Sequence, residues 1–190
     1  MVKFSTRFFY LLMLISVVIA GCQKDESVKK TATGTTDSTK VSTISTPGNY
    51  LAGKGTLSVK LKDSTYTFNA EQDSIAFVNI SIDGEEYYGL TAINKAHTVS
   101  FGISSSGMPI DDFASYVSGA QLLLKGTGKT NLEYTLIPGS LQQKFGTISI
   151  EKYNQDATLA KGTFHTFLAT GTKYNSPNYE VTGTFELKIK

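Results

Sequence analysis

The sequence predicts an all-β fold of about ten antiparallel strands, arranged as a sandwich or a barrel, and two observations support this. Apolar and polar residues alternate with a period of two along most segments after residue 50, most clearly in Val181–Lys190. Gly, Asn, Asp and Pro separate these segments at the spacing typical of antiparallel sheets. Alternation of this kind places one face of each strand on a core and the other in water.

The strongest local signal is a hairpin at Asp83-Gly84, between the apolar segments 75–82 and 85–93. Asp-Gly tolerates the positive φ angles that a type I′ turn requires. A two-residue loop at this place pairs Ile82 with Glu85 and Ile80 with Tyr87. The adjacent Tyr87 and Tyr88 should then present one ring to each face of the sheet.

Further segments complete the predicted strands. Leu57–Leu61 and Tyr66–Ala70 flank a tight turn that we predict at Asp63-Ser64. Leu159–Ala169 carries apolar residues on both faces, which suggests a central strand covered on both sides. The remaining strands are predicted at Val99–Ile103, Gln121–Lys125, Leu132–Ile137 and Gly146–Tyr153.

One segment, 109–119, departs from the strand pattern and predicts a short helix. Pro and the pair Asp111-Asp112 near its start, and a Gly at its end, are typical of helix boundaries. Ile110, Phe113 and Val117 follow at the i, i+3, i+7 spacing of one helix face. We expect this helix to cover an open end of the barrel or an edge of the sheet.

Composition divides the chain into three parts. Residues 1–21 carry two basic side chains followed by the apolar segment Phe8–Ala20, which is shorter than a membrane span and typical of a secretory signal peptide. Residues 22–49 form a Ser/Thr-rich tether that we expect to be disordered, because it has few apolar side chains to bury. Residues 50–190 contain all the predicted strands and form the β domain.

The end of the signal peptide, Ile19-Ala20-Gly21-Cys22, resembles a bacterial lipobox. The resemblance implies that the thiol of Cys22 receives a diacylglycerol, that cleavage follows Gly21 and that the new amine is acylated. Two or more acyl chains give a stable membrane anchor, whereas one alone is marginal.

The residues after the cysteine, Gln23-Lys24-Asp25-Glu26, resemble the short export signal of surface lipoproteins in some gram-negative bacteria. The resemblance implies an outer-membrane protein that faces the cell exterior.

Three C-terminal segments resemble a family of small lipid-anchored all-β domains of unknown function. They are Phe145–Ile150, Leu159–Phe164 and Tyr179–Ile189, in which Gly-Thr-Phe occurs twice. The resemblance implies an all-β lipoprotein domain, and the one site residue that it carries over is the lipid-bearing Cys22.

Charge and cysteine content exclude several classes of function. Removal of Lys3 and Arg7 with the signal peptide leaves 18 − 2 = 16 basic side chains against 16 acidic ones, and no Arg. Such a neutral chain lacks the basic surface that nucleic-acid binding requires, so we expect no nucleic-acid partner. A single Cys also excludes an internal disulfide framework and multi-cysteine zinc sites.

No motif predicts catalysis, a metal or a cofactor. His97 lies at the entrance of a predicted strand, His165 points to the face opposite that of Phe164, and neither has triad partners in the pattern. Gly128-Lys129-Thr130 lacks the upstream Gly of a phosphate-binding loop, because position 123 is Leu. The acidic clusters at residues 83–86 and 111–112 lack calcium-loop spacing. We therefore expect a non-enzymatic domain.

A candidate recognition surface lies in the loop Gly171–Asn178, with Tyr174 and the following Tyr179 as its contact residues. Tyr gives rigid contact area, and Asn and Ser adapt their hydrogen bonds to a partner. We expect a surface module that binds a glycan or protein or has a structural role in the envelope. The alternatives are a small barrel that carries an apolar ligand inside and, third, an enzyme whose site is assembled from scattered residues.

Overall fold

The computed structural model describes residues 48–126, 131–136, 145–171, 173 and 176–189. Within them the chain forms strands and turns, and the all-β prediction is confirmed. Cys22, the predicted signal peptide, the tether up to residue 47 and Tyr174 lie outside the described residues. The strands are β1 (Gly48–Leu51), β2 (Lys54–Leu61), β3 (Ser64–Asn69), β4 (Ser74–Ile82), β5 (Glu85–Ile93), β6 (Val99–Ser106), β7 (Phe113–Lys125), β8 (Asn131–Thr135), β9 (Gly146–Gln155), β10 (Thr158–Ala169) and β11 (Asn178–Lys188).

All eleven strands belong to one antiparallel sheet with the order β1-β4-β5-β6-β7-β8-β10-β11-β2-β3. Strand β9 pairs with both β7 and β10, and β8 also pairs with both, so that the hydrogen bonding closes into a barrel-like ring. Residues 52 and 53, which join β1 to β2, form hydrogen bonds to β4 and to β11. There the N–H of Ala52 donates to Ile75 O of β4, and the N–H of Gly53 donates to Lys188 O of β11, both at 2.9 Å.

The β4–β5 hairpin has the predicted geometry. Asp83 and Gly84 have φ angles of 53° and 85°, as a type I′ turn requires. Ile82 pairs with Glu85, and Ile80 pairs with Tyr87, in the predicted register. The β2–β3 turn is formed by Lys62 and Asp63, one residue before the predicted position, because Leu61 pairs directly with Ser64.

The predicted helix at 109–119 is wrong, because this segment enters strand β7. Phe113 pairs with Ile150 of β9, and Tyr116 pairs with Thr147. Val117 is buried, but Ile110 is 55 % exposed, so the helical spacing does not correspond to one buried face. Pairing with β9 satisfies the backbone groups in a ladder, and this tertiary interaction overrides the local helix signal.

One continuous hydrophobic core fills the space enclosed by the sheet, with buried side chains from every strand from β2 to β11. Aromatic rings are central to it: Phe101 stacks on Phe164 at a centroid distance of 5.1 Å, and Phe77 lies 5.2 Å from Tyr153. The sequence predicts that strand β10 is covered on both faces, which is wrong for the middle of the strand. Its even-numbered residues from 160 to 168 are buried, whereas Thr163 on the other face is exposed.

Candidate functional site

An apolar groove of about 440 Å³ crosses β4, β5, β6 and β7. In β4, Phe77 and Asn79 are buried in the core, whereas the alternating Val78, Ile80 and Ile82 line the groove. Successive side chains of a strand point to opposite faces. The groove therefore lies on the side of the sheet that faces away from the core, and we call it the outer groove. Its remaining lining includes Tyr87, Gly89, Gly102 and Gly119.

The floor of the outer groove is built from very small residues in register. Gly89 pairs with Ser104, and Ser104 pairs with Gly119, so three neighbouring strands present almost no side chain in this row. In the adjacent row Gly102 lies between Thr91 and Gln121. The groove exists because the side chains at these positions are absent or very small, whereas Val78 and Ile80 on the neighbouring β4 have large ones.

The walls of the outer groove differ in polarity. On one side Ile80 pairs with Tyr87, and both side chains are partly exposed. On the other side the Nε2 group of Gln121 donates a 2.7 Å hydrogen bond to Oε1 of Glu133. An apolar floor with a few polar groups at its edge is the usual composition of a ligand site and suits a flat apolar group with polar substituents.

Gly89 and Gly102 of the outer groove differ in whether the structure has space for a Cβ atom at their positions. A Cβ on Gly89 would overlap the carbonyl oxygen of Ile103, so the close approach of β5 and β6 requires glycine at this position. A Cβ on Gly102 would meet nothing nearer than Leu90 O at 3.9 Å. A side chain introduced at position 102 would therefore occupy the outer groove without a steric conflict at its Cβ.

Tyr179, one of the two predicted binding residues, lies in a second concavity of about 530 Å³ on β2 and β11. The Nζ group of Lys62 is 3.6 Å from the centroid of its ring, and the Tyr134 ring meets it edge-on at 6.0 Å. Cation–π contact and edge packing hold this ring in place. One face of the Tyr179 ring is thus already covered by the chain itself.

The two histidines lie on different elements. His97 is exposed in the turn between β5 and β6, where its N–H donates to Asn94 O at 2.8 Å. His165 lies on the outer face of β10, with Nε2 3.1 Å from Oε1 of Glu180 and its ring edge-on to Phe167. Within the described residues, no three His, Cys, Asp or Glu side chains are grouped so that they could hold a metal ion.

The acidic residues Asp83 and Asp111 have structural roles. Asp83 occupies the type I′ turn with a φ angle of 53°. Oδ1 of Asp111 accepts a 2.6 Å hydrogen bond from the N–H of Tyr153, and its Oδ2 accepts one from the side chain of Gln155. Asp111 therefore fastens the segment between β6 and β7 to β9, at the place where the sequence predicts a helix start.

A small set of polar groups lies within the core. Nδ2 of Asn79 donates a 3.2 Å hydrogen bond to the Tyr153 hydroxyl, while the buried Oδ1 of Asn79 has no partner among the described residues. Burial raises the pKa of Tyr153 above its usual 10.0, and the hydrogen bond with Asn79 opposes this shift. Burial likewise raises the pKa of Tyr88, against the opposing effect of hydrogen bonds with Ser115 and Ser105. Both phenols therefore remain protonated at neutral pH.

Sequence reasoning missed the outer groove. Its floor combines Gly89, Gly102 and Gly119 from three strands, and only the register of those strands makes them neighbours. Glycines inside strand patterns are visible in the sequence, but they are also typical of bulges and curvature. A usable signal would have been the position of Gly89 and Gly102, each of which lies between two buried apolar residues in consecutive strands.

Comparisons with protein-family models, curated proteins and solved structures found no match to this chain. The resemblances to a lipobox and to small lipid-anchored β domains therefore stay predictions. Among the described residues, no helix has the length and apolar character needed to cross a membrane.

Proposed function

We propose that the protein is a lipoprotein of the bacterial outer membrane, anchored through lipids on Cys22 and facing the cell exterior. The main support for the lipid anchor is the sequence Ile19-Ala20-Gly21-Cys22 at the end of an apolar signal segment. Cys22 is the one cysteine of the chain, which leaves it no disulfide partner within the chain. The export-like residues Gln23-Lys24-Asp25-Glu26 support the exterior location.

The β domain is, in this proposal, a non-enzymatic binding module, and the outer groove is its binding site. The observation that carries this role is the glycine floor of the groove, where Gly89 and Gly119 flank Ser104 across three strands. A groove of about 440 Å³ falls within the size range of small-ligand sites. The flat apolar face of a sugar ring or an apolar side chain of a protein partner fits such a floor.

Filling the groove tests the binding role. Gly102→Leu places a side chain over the floor, whereas Thr163→Leu introduces the same side chain on the exposed face of β10, between Ser149 and Thr184. Both variants, and the parent chain, should be applied to arrays of purified glycans and of envelope proteins. We expect the Leu at position 102 to weaken binding by about tenfold or more and the Leu at position 163 to leave it unchanged. Equal binding by all three chains would contradict the assignment of the outer groove.

The concavity that contains Tyr179 is the second candidate surface. The cations of Lys60 and Lys62 and the carboxylate of Glu180 border it, so it suits a more polar partner than the outer groove does. Replacing Tyr174 and Tyr179 together with Ala should abolish capture of a ligand bound there while the domain stays folded. Unchanged binding by this double variant would show that the ligand is bound at another surface of the domain.

A carrier of an apolar ligand is the alternative function. Large side chains such as Tyr88, Phe68 and Phe77 are almost fully buried in the core, which argues against a ligand in the described interior. A carrier would instead hold its ligand in the outer groove. A fluorescent fatty acid that binds the parent chain and is excluded by Gly102→Leu would favour this alternative.

An enzyme is the third candidate, since catalytic groups can be assembled from scattered residues.

Location is tested separately from binding. Protease added to intact cells should remove the β domain from the surface, while a periplasmic control protein stays intact. Protection of the domain until the cells are broken would overturn the exterior location and leave the lipid anchor at Cys22 to be judged by itself.

A further inference from the structure

The segment between β6 and β7, together with the first residue of β7, exposes several large apolar side chains. Met108, Ile110 and Phe113 are 57 %, 55 % and 53 % exposed and lie within six residues of the chain. Single exposed apolar side chains are normal on protein surfaces, but a cluster of them usually marks a contact with a partner or a membrane. We call residues 107–113 the apolar loop.

The apolar loop is held firmly at its base. The N–H of Gly107 donates a 2.7 Å hydrogen bond to Glu86 O, and Pro109 is buried. At the other end, Asp111 accepts hydrogen bonds from the N–H of Tyr153 and from the side chain of Gln155. These contacts fix the backbone while the three apolar side chains stay outside, so their exposure is built into the fold.

The chain enters the domain on the side of the β4–β5 hairpin turn, which is also the side of the apolar loop. Gly48, the first described residue, pairs with Asn79 of β4. From Asn79, β4 continues to Ile82 and the turn, about 10 Å further at the usual rise of a strand. The hydrogen bond between Glu86 and Gly107 then joins the start of β5 to the loop. The predicted tether and the apolar loop are therefore attached to the same end of the β4–β5 hairpin.

We propose that the apolar loop inserts into the lipid bilayer that carries Cys22, a proposal that rests on the lipid anchor proposed above. The bilayer is the partner that the tether holds near the loop, because the predicted tether spans on the order of 25 Å as a flexible coil. Tethering makes the contact effectively intramolecular, so a shallow insertion is sufficient. The groups buried would be the side chains of Met108, Ile110 and Phe113.

The charges around the loop define the kind of lipid surface. Asp83, Glu85 and Asp112 are exposed in the loop and the neighbouring turn, and none of them forms a salt bridge with another described residue. The exposed Lys152, next to the Tyr153 that binds Asp111, is outnumbered by these three acidic side chains, so the attraction is apolar and an anionic bilayer opposes it. Insertion should be deeper in zwitterionic vesicles than in vesicles rich in phosphatidylglycerol, and salt should reduce the difference by screening.

A single introduced tryptophan tests the insertion, because the chain contains no Trp. The chain from Cys22 to Lys190, which includes every described residue, is coupled through its one thiol to a maleimide lipid in phosphatidylcholine vesicles with brominated acyl chains. The variant Ile110→Trp reports on the loop. Leu132→Trp is the matched control, since Leu132 is 45 % exposed and pairs with Leu124, at the opposite end of β7 from Phe113.

We expect quenching of the Ile110→Trp variant to be at least about twice as strong as quenching of the Leu132→Trp variant. The reason is that interfacial insertion buries apolar groups about 5–10 Å deep. A second reporter, Phe113→Trp, should be quenched similarly, and adding Met108→Asp and Ile110→Asp should abolish its quenching. Equal quenching of the first two variants, or none in either, would overturn the proposal. A blue shift of the Ile110→Trp emission without quenching would assign the loop to a protein contact and also overturn it.

The maleimide lipid supplies the anchor whether or not the native host modifies Cys22. Absence of native lipidation would thus leave the insertion result intact, and absence of insertion would leave the proposed anchor intact.

Discussion

The Phe164 ring lies over Gly183 of the neighbouring strand, in the space that a Cβ at position 183 would occupy. The same relationship occurs in reverse close by, where the Phe185 ring approaches its pairing partner Gly162. Two Gly-Thr-Phe sequences, one in β10 and one in β11, therefore pair antiparallel so that each Phe covers the Gly of the other. The arrangement explains why this tripeptide occurs in both strands.

The first prediction concerns these glycines. Gly183→Ala should lower the free energy of unfolding by about 1–3 kcal/mol, because the added methyl group would overlap both the Phe164 ring and Ser58 O. Urea denaturation of the purified chain measures the change. Gly102→Ala is the matched control, since its Cβ would meet nothing nearer than 3.9 Å. A loss for Gly183→Ala no larger than that for Gly102→Ala would contradict this account of the packing.

The second prediction concerns the buried pair Asn79 and Tyr153, joined by a 3.2 Å hydrogen bond. Tyr153→Phe should cost about 1–3 kcal/mol, because it leaves a buried amide donor without an acceptor. The double change Asn79→Leu with Tyr153→Phe should cost less than the sum of the two single changes by at least about 0.5 kcal/mol. Additive effects in the double-mutant cycle would show that the hydrogen bond contributes nothing.

The third prediction concerns alkaline pH. Burial raises the pKa values of Tyr88 and Tyr153 above the usual 10.0, so the folded chain keeps protons that the unfolded chain releases. This contribution to stability is fully present below pH 10.0 and is lost as the pH rises through the raised pKa values of the folded state. The free energy of unfolding should therefore begin to fall near pH 10.0 and continue to fall as the pH rises through the raised pKa values, and it should fall less steeply in Tyr153→Phe. Parallel pH profiles for the parent and the variant would exclude Tyr153 as a cause.

Local signals predicted the parts of the fold that depend on neighbouring residues. Asp83-Gly84 specifies its turn by itself, because few other residue pairs accept two positive φ angles, and the turn then determines the register of Ile80 and Ile82. The alternation of apolar and polar residues along β11 was equally sufficient to predict that strand, because one buried face and one exposed face produce this pattern directly.

The parts that failed depend on contacts between distant residues. Ile110, Phe113 and Val117 have helical spacing, yet pairing of Phe113 with Ile150 places the segment in β7. The outer groove requires the registers of β5, β6 and β7 together, which no single segment contains. Conversely, the lipid site at Cys22 is a prediction from local sequence alone, and it lies outside the described residues.

The proposed location and role of the protein depend most on the modification of Cys22. The most direct test is the intact mass of the protein purified from the membranes of its native host. We predict a chain that begins at Cys22 and carries a thioether-linked diacylglycerol and an acylated amine. A chain that retains residues 1–21, or one whose Cys22 thiol is free, would contradict the central claim.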